Sequence, residues 1–144
     1  MNSARAANYF LKHRGVEGKV TYFGAIGTDD KGGVLEQEIA DQKINGNFHK
    51  DTETPTGTCA VLVVDKERSL CANLAAACKY SPEHLANNMA ALDSAKFIYS
   101  TGFFITSSVE SLFRVAKYAT DNDVPFGFNL SAVFLLEFEI ANIL

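Results

Sequence analysis

Short apolar runs rich in β-branched and aromatic residues alternate along this chain with stretches of helical spacing, and that alternation limits the fold most. The runs are VTYFGAI at 20–26, AKFIYS at 95–100 and PFGFNLS at 125–131. Helical spacing brings together Ala4, Ala7, Phe10 and Leu11, then Leu35, Ile39 and Ala40 within 33–44, then Leu85, Met89 and Leu92. Val109, Leu112, Phe113, Ala116 and Ala119 make the cleanest stripe. Strands separated by helices of this length imply βαβ units, since parallel neighbours need a long crossover. The expected class is α/β, a parallel sheet with flanking helices. One stretch breaks the pattern. Residues 58–64 and 68–74 read as two extended segments around Asp65-Lys66-Glu67, a hairpin that should project from the sheet as a separate β element. The first segment is nearly all apolar, as expected of a strand packed over most of its length. On the second, Leu70, Ala72 and Leu74 face one way and Asn73 the other. Two uses fit: a structural arm lying on a sheet, or a cover closing over a small apolar ligand, with Arg68 beside something anionic. Residues 48–52 are expected to add a short strand to this hairpin, giving a β element over about 47–77.

The connections carry ordinary signals. The glycine-rich turn from Gly24 to Gly32 has neither the GxGxxG nor the GxxxxGK[ST] pattern of a phosphate cradle. It reads as a strand-to-helix turn whose acidic residues cap the helix and favour its positive end. Ser81-Pro82-Glu83 supplies an N-cap, a proline at the first helical position and an acid in the first turn. Ser107 and Glu110 have capping-box spacing. A last helix is expected over 132–144.

Length and composition exclude several function classes. With 144 residues there is enough chain for one domain with a core. A net charge of −4 with scattered Lys and Arg attracts neither nucleic acid nor an anionic membrane. No apolar run approaches the roughly 20 residues of a bilayer span, and no signal peptide pattern opens the chain, so the expected address is the cytosol. Cys59, Cys71 and Cys78 lack CxxC spacing and are expected as reduced, buried thiols. His13, His49 and His84 are far apart and read as surface residues.

Ligands of an open α/β sheet bind beyond the carboxyl ends of its strands. Those ends are residues 24–29, 101–104 and 129–134, with the hairpin folding over the same edge. Phe103 and Phe134 are then candidates for an aromatic slot, or simply for the core.

The motifs NSARAANYFL, GAIGTDDKGG, PTGTCA, RSLCANLAAA, STGFFITSSVES and FNLSAVF, in this order, resemble the ribokinase-like family of sugar and nucleoside kinases. Within that family the motifs resemble those of adenosine kinases. The resemblance covers essentially the whole chain and corresponds to an interior portion of such a kinase, so the chain is expected to begin and end inside elements. It implies a partial ribokinase-like domain over 1–144 with the hairpin as lid. It further implies adenosine as substrate, ATP as phosphoryl donor and Mg2+ as cofactor. Phe103 and Phe134 would flank the adenine, and Cys59, Leu70, Ala72 and Leu74 would form the lid's apolar wall. Asn2 would meet ribose hydroxyls, and Arg68 would meet the phosphoryl group in transit. The family's GAGD, its NxxE and its early ribose-binding aspartate do not occur here. A missing general base costs about 10²–10⁴ in rate and a missing anion hole at least as much. The chain alone is therefore expected to be an inactive fragment. The alternatives are a ribokinase-like kinase for another sugar or nucleoside, and a non-catalytic nucleoside-binding or interaction fragment. Oligomeric state is not readable from these residues.

Overall fold

The computed structural model describes residues 1–135 and 137, which divide into two compact units, residues 1–79 and the residues from 80 onward. The expected helix over 132–144 is helical at 133–135, and most of the rest lies outside the described residues.

The first unit opens with α1 (Asn2–His13), followed by β1 (Thr21–Gly27), α2 (Asp30–Asp41) and β2 (Asn45–Asp51). Strands β1 and β2 pair in parallel from Thr21↔Asn45 to Gly27↔Asp51, so β1–α2–β2 is a βαβ unit. This corrects one expectation: the segment at 48–52 joins β1, not the hairpin. Asn45, Gly46 and Asn47 are weak strand formers, and the free edge of β1 overrides their propensity. Ile26, Ile39, Ile44 and Ala76 form the buried centre. Helix α1 is held at the end of α2 by Asn8, a buried side chain whose Nδ2 donates to the Gln42 carbonyl at 2.7 Å.

The hairpin is present as expected, β3 (Thr58–Val64) against β4 (Glu67–Asn73), antiparallel and forming its own two-stranded sheet. Its burial is a correction. Every residue of both strands is exposed, so the apolar run of β3 does not signal a packed strand. All three cysteines are free, but the expected burial fails: Cys59 and Cys71 are exposed and Cys78 is only half-buried.

The second unit contains α3 (Pro82–Asn87), β5 (Ile98–Ser100), α4 (Val109–Asp121) and β6 (Phe126–Phe128). β5 and β6 pair in parallel across α4, a second βαβ unit. Its centre is Leu85, Leu92, Ile98, Ile105, Leu112, Ala119 and Leu135. Ser81 caps α3 through its hydroxyl, accepting from the amides of Glu83 and His84. The cap of α4 falls one residue later than the expected box. Ser108 is the N-cap and accepts from Ser111 N, while Glu110 pairs with Arg114 at 2.8 Å. Phe113 lies half exposed on that helix, outside the core its spacing suggested.

Candidate functional site

A hollow of about 320 Å³ opens in the first unit where the stem of the hairpin meets β1. Its wall includes Cys59, Ala72 and Leu74, three of the four residues expected to form an apolar wall, together with Ile26, Phe48 and Tyr22. The register explains their grouping. Cys59 faces Ala72, Val61 faces Leu70 and Val63 faces Arg68. Strand side chains alternate in face, so Cys59, Ala72, Leu70 and Arg68 share one face of the arm. Only the base of that face borders the hollow; Leu70 and Arg68 stand further out and exposed. Asn2 is exposed and does not line it, although its neighbour Met1 does.

The stem is fixed by a cluster that sequence reasoning recognised in part. Helix α2 begins at Asp30, earlier than the expected 33, and of the turn's acidic residues Asp29 is its N-cap, its Oδ1 accepting from Gly32 N at 3.2 Å. The same carboxylate accepts the hydroxyl proton of Thr56 and the Thr56 amide, at 3.3 Å to each oxygen. The Thr56 hydroxyl in turn accepts from Gly27 N at 3.0 Å. The hydrogen bond from Thr56, then the backbone amides, holds the Asp29 pKa below its usual value. Gly27 is required here, because a Cβ would lie 2.6 Å from Thr56 N and 2.7 Å from the Thr54 carbonyl oxygen. One turn earlier, Asp51 Oδ1 accepts from the amides of Glu53 and Thr54, each at 2.8 Å, and shapes the approach to the arm. Thr56 carried no role in the sequence. Its burial shows only in the structure, where its hydroxyl bonds to Asp29 and to the Gly27 amide at the end of β1.

In the second unit Phe103 and Phe134 come together beyond the carboxyl ends of β5 and β6. Their ring centroids are 6.0 Å apart at 50°. They are 51% and 45% exposed, so neither is a core residue. Asn129 joins the two segments. Its Oδ1 accepts from Gly102 N and from the Ser131 hydroxyl, both at 2.8 Å. Faces placed on both sides of a flat ring need about 7 Å between them and near-parallel planes, so a base entering between these rings would have to part them and turn one against the other. Among the described residues no three His, Cys, Asp or Glu side chains gather to hold a metal ion.

A family model described as pfkB family carbohydrate kinase matches residues 1–140. The chain belongs to the pfkB family of carbohydrate kinases. It is 41% identical over 139 residues to adenosine kinase 2 of Arabidopsis thaliana, covering 95% of this chain and 39% of that protein. The crystal structure of Anopheles gambiae adenosine kinase in complex with P1,P4-di(adenosine-5) tetraphosphate superposes with a TM-score of 0.90. The two are 42% identical over 99% of this chain and 41% of that one. Ribokinase from Giardia lamblia, 20% identical, shares the fold with a TM-score of 0.81 over 99% of this chain and 42% of that one. This pfkB-family chain therefore has a ribokinase-like fold and spans about 40% of the length of its curated relatives.

Proposed function

We propose that this chain is part of an adenosine kinase, which moves the γ-phosphate of ATP to the 5′-hydroxyl of adenosine and gives AMP, a purine-salvage reaction carried out in the cytosol. The observation that carries this reading is the half-exposed pair Phe103 and Phe134, which offers aromatic faces to a nucleobase where a bare sugar would call for hydrogen-bonding groups. The relatives named above support it. So does the hollow beside Cys59, Ala72 and Leu74, whose volume falls within the roughly 300–1,000 Å³ of small-molecule sites. In this reading Phe103 and Phe134 meet the base, and Cys59, Leu70, Ala72 and Leu74 give the arm its apolar wall. Asn2 hydrogen-bonds the ribose. Arg68 meets the transferring phosphoryl group, since a planar guanidinium stabilises charge spread over equatorial oxygens. Closing the arm excludes water that would otherwise take the phosphate. The general base, the anion hole and the groups that order Mg2+ belong to parts of the kinase outside this chain.

The test is a phosphoryl-transfer assay on the full-length gene product, offered adenosine, ribose and fructose with ATP and Mg2+. Adenosine should be the preferred acceptor, and preference for ribose would overturn the assignment. The 144-residue chain assayed alongside, free of host kinase, should form no AMP.

A further inference from the structure

The β3–β4 arm leaves the first unit through two backbone rails, residues 54–58 and 73–77, and both are fastened at the end of β1. On the incoming rail, Thr56 is polar yet only 5% exposed. Its hydroxyl gives its proton to Asp29 and accepts the Gly27 amide at 3.0 Å, while its own amide points at both Asp29 oxygens. The outgoing rail is tied to the incoming one: Ala76 N donates to the Pro55 carbonyl at 3.0 Å. There Ala75 holds a left-handed φ of +44°, a conformation an alanine adopts only when its surroundings impose it. Gly57 approaches so closely that a Cβ would lie 2.5 Å from the Leu74 carbonyl oxygen. Burial does little to hold the arm itself, since every residue of its two strands is exposed.

We propose that Asp29 and Thr56 are positioning residues forming a latch, which fixes the angle at which the arm stands and hence where its Arg68 and Leu70 face is presented. One carboxylate is shared between the start of α2 and the root of the arm. The arm's angle is therefore tied to a rigid helix and not to contacts made by its own faces. The Thr56 hydroxyl is both donor and acceptor in this chain of bonds, so losing it releases Asp29 and leaves the Gly27 amide without its partner. The inference rests on the kinase reading only for what Arg68 does once positioned.

Amide hydrogen exchange on the 144-residue chain, resolved by peptide, tests the latch. Thr56→Val should speed exchange across residues 54–77 about tenfold, the scale of one buried hydrogen bond, and leave peptides from 34–50 unchanged. Thr56→Ser, which keeps the hydroxyl, should restore the parent pattern. Asp29→Asn should give a smaller increase in the same place, and it decides the matter if Thr56→Val does not fold. Unchanged exchange over 54–77 would overturn the latch. So would an increase spread evenly over residues 1–79 with a lowered melting temperature, which would make Thr56 an ordinary buried polar group. A full-length enzyme that preferred ribose would leave this result standing.

Discussion

A carboxyl that is more acidic folded than unfolded stabilises the fold above its unfolded pKa and loses that contribution as pH falls through the folded value. Asp29 is such a group, chiefly through Thr56, and Asp51 is another, through the amides of Glu53 and Thr54. Glu17 follows them, its carboxyl held down by Lys43 at 2.5 Å. Tyr80 runs the other way. Burial pushes its phenol up to about 12, so its contribution is complete below the usual value of 10.0 and lost as pH rises towards 12. Burial also holds the Met1 amine below its usual 8.0, so stability rises as pH approaches 8 and the folded chain sheds that proton before the unfolded one. Circular-dichroism melts should thus fall below about pH 5 and above about pH 9, with a smaller rise on the way up to about pH 8; stability that declined steadily from about pH 5 to 8 would contradict this balance. Exposure separates function from core in the same residue-by-residue way. Ile39, 1% exposed, should cost about 2–5 kcal/mol when cut to alanine, whereas Phe103→Ala should cost about 1 kcal/mol or less, both read by urea unfolding. Sequence spacing singled out Phe103 and Phe134 without distinguishing slot from core. It assigned capping to the acidic residues of the turn as a group and left Thr56 without a role, because a hydroxyl's partner 27 residues away leaves no local trace.

Elements were legible where a local rule fixes them and obscure where a distant partner decides. The two βαβ units, the hairpin and the Ser81 cap all follow from periodicity or capping chemistry. The partner of β2 did not, because a polar strand such as NGNFHKD takes its place from a vacant edge, not from its own composition. Nor did the exposure of β3, since an apolar run looks the same whether it is covered or open to solvent. The junction of β1 with the arm allows a sharp test. In Gly27→Ala the new methyl meets backbone on three consecutive residues, Thr54, Pro55 and Thr56, which cannot rotate away as a side chain would. The variant should lose about 1–3 kcal/mol in urea unfolding, and a neutral result would mean that the stem yields more easily than its packing indicates.

Over the molecule, apolar surface lies open in several places: Val61 to Val64 on the arm, Phe97 and Tyr99 around β5, and Leu130, Val133 and Phe134 beyond β6. A further apolar hollow of about 140 Å³ sits in the second unit between α4 and β6, lined by Phe113, Phe126 and Phe128 among others. A monomer rarely leaves so much of this surface bare. Sedimentation velocity should therefore show association that grows with concentration, and a single monomeric boundary from micromolar to near-millimolar protein would refute that expectation. Such association could use either side of the arm, and its cysteines tell the sides apart. Cys59 and Cys71 lie on neighbouring rungs with opposite orientation. A thiol reagent thus footprints each side separately: loss of labelling at Cys59 alone marks an occupant on the Arg68 side, and loss at Cys71 alone marks one on the reverse.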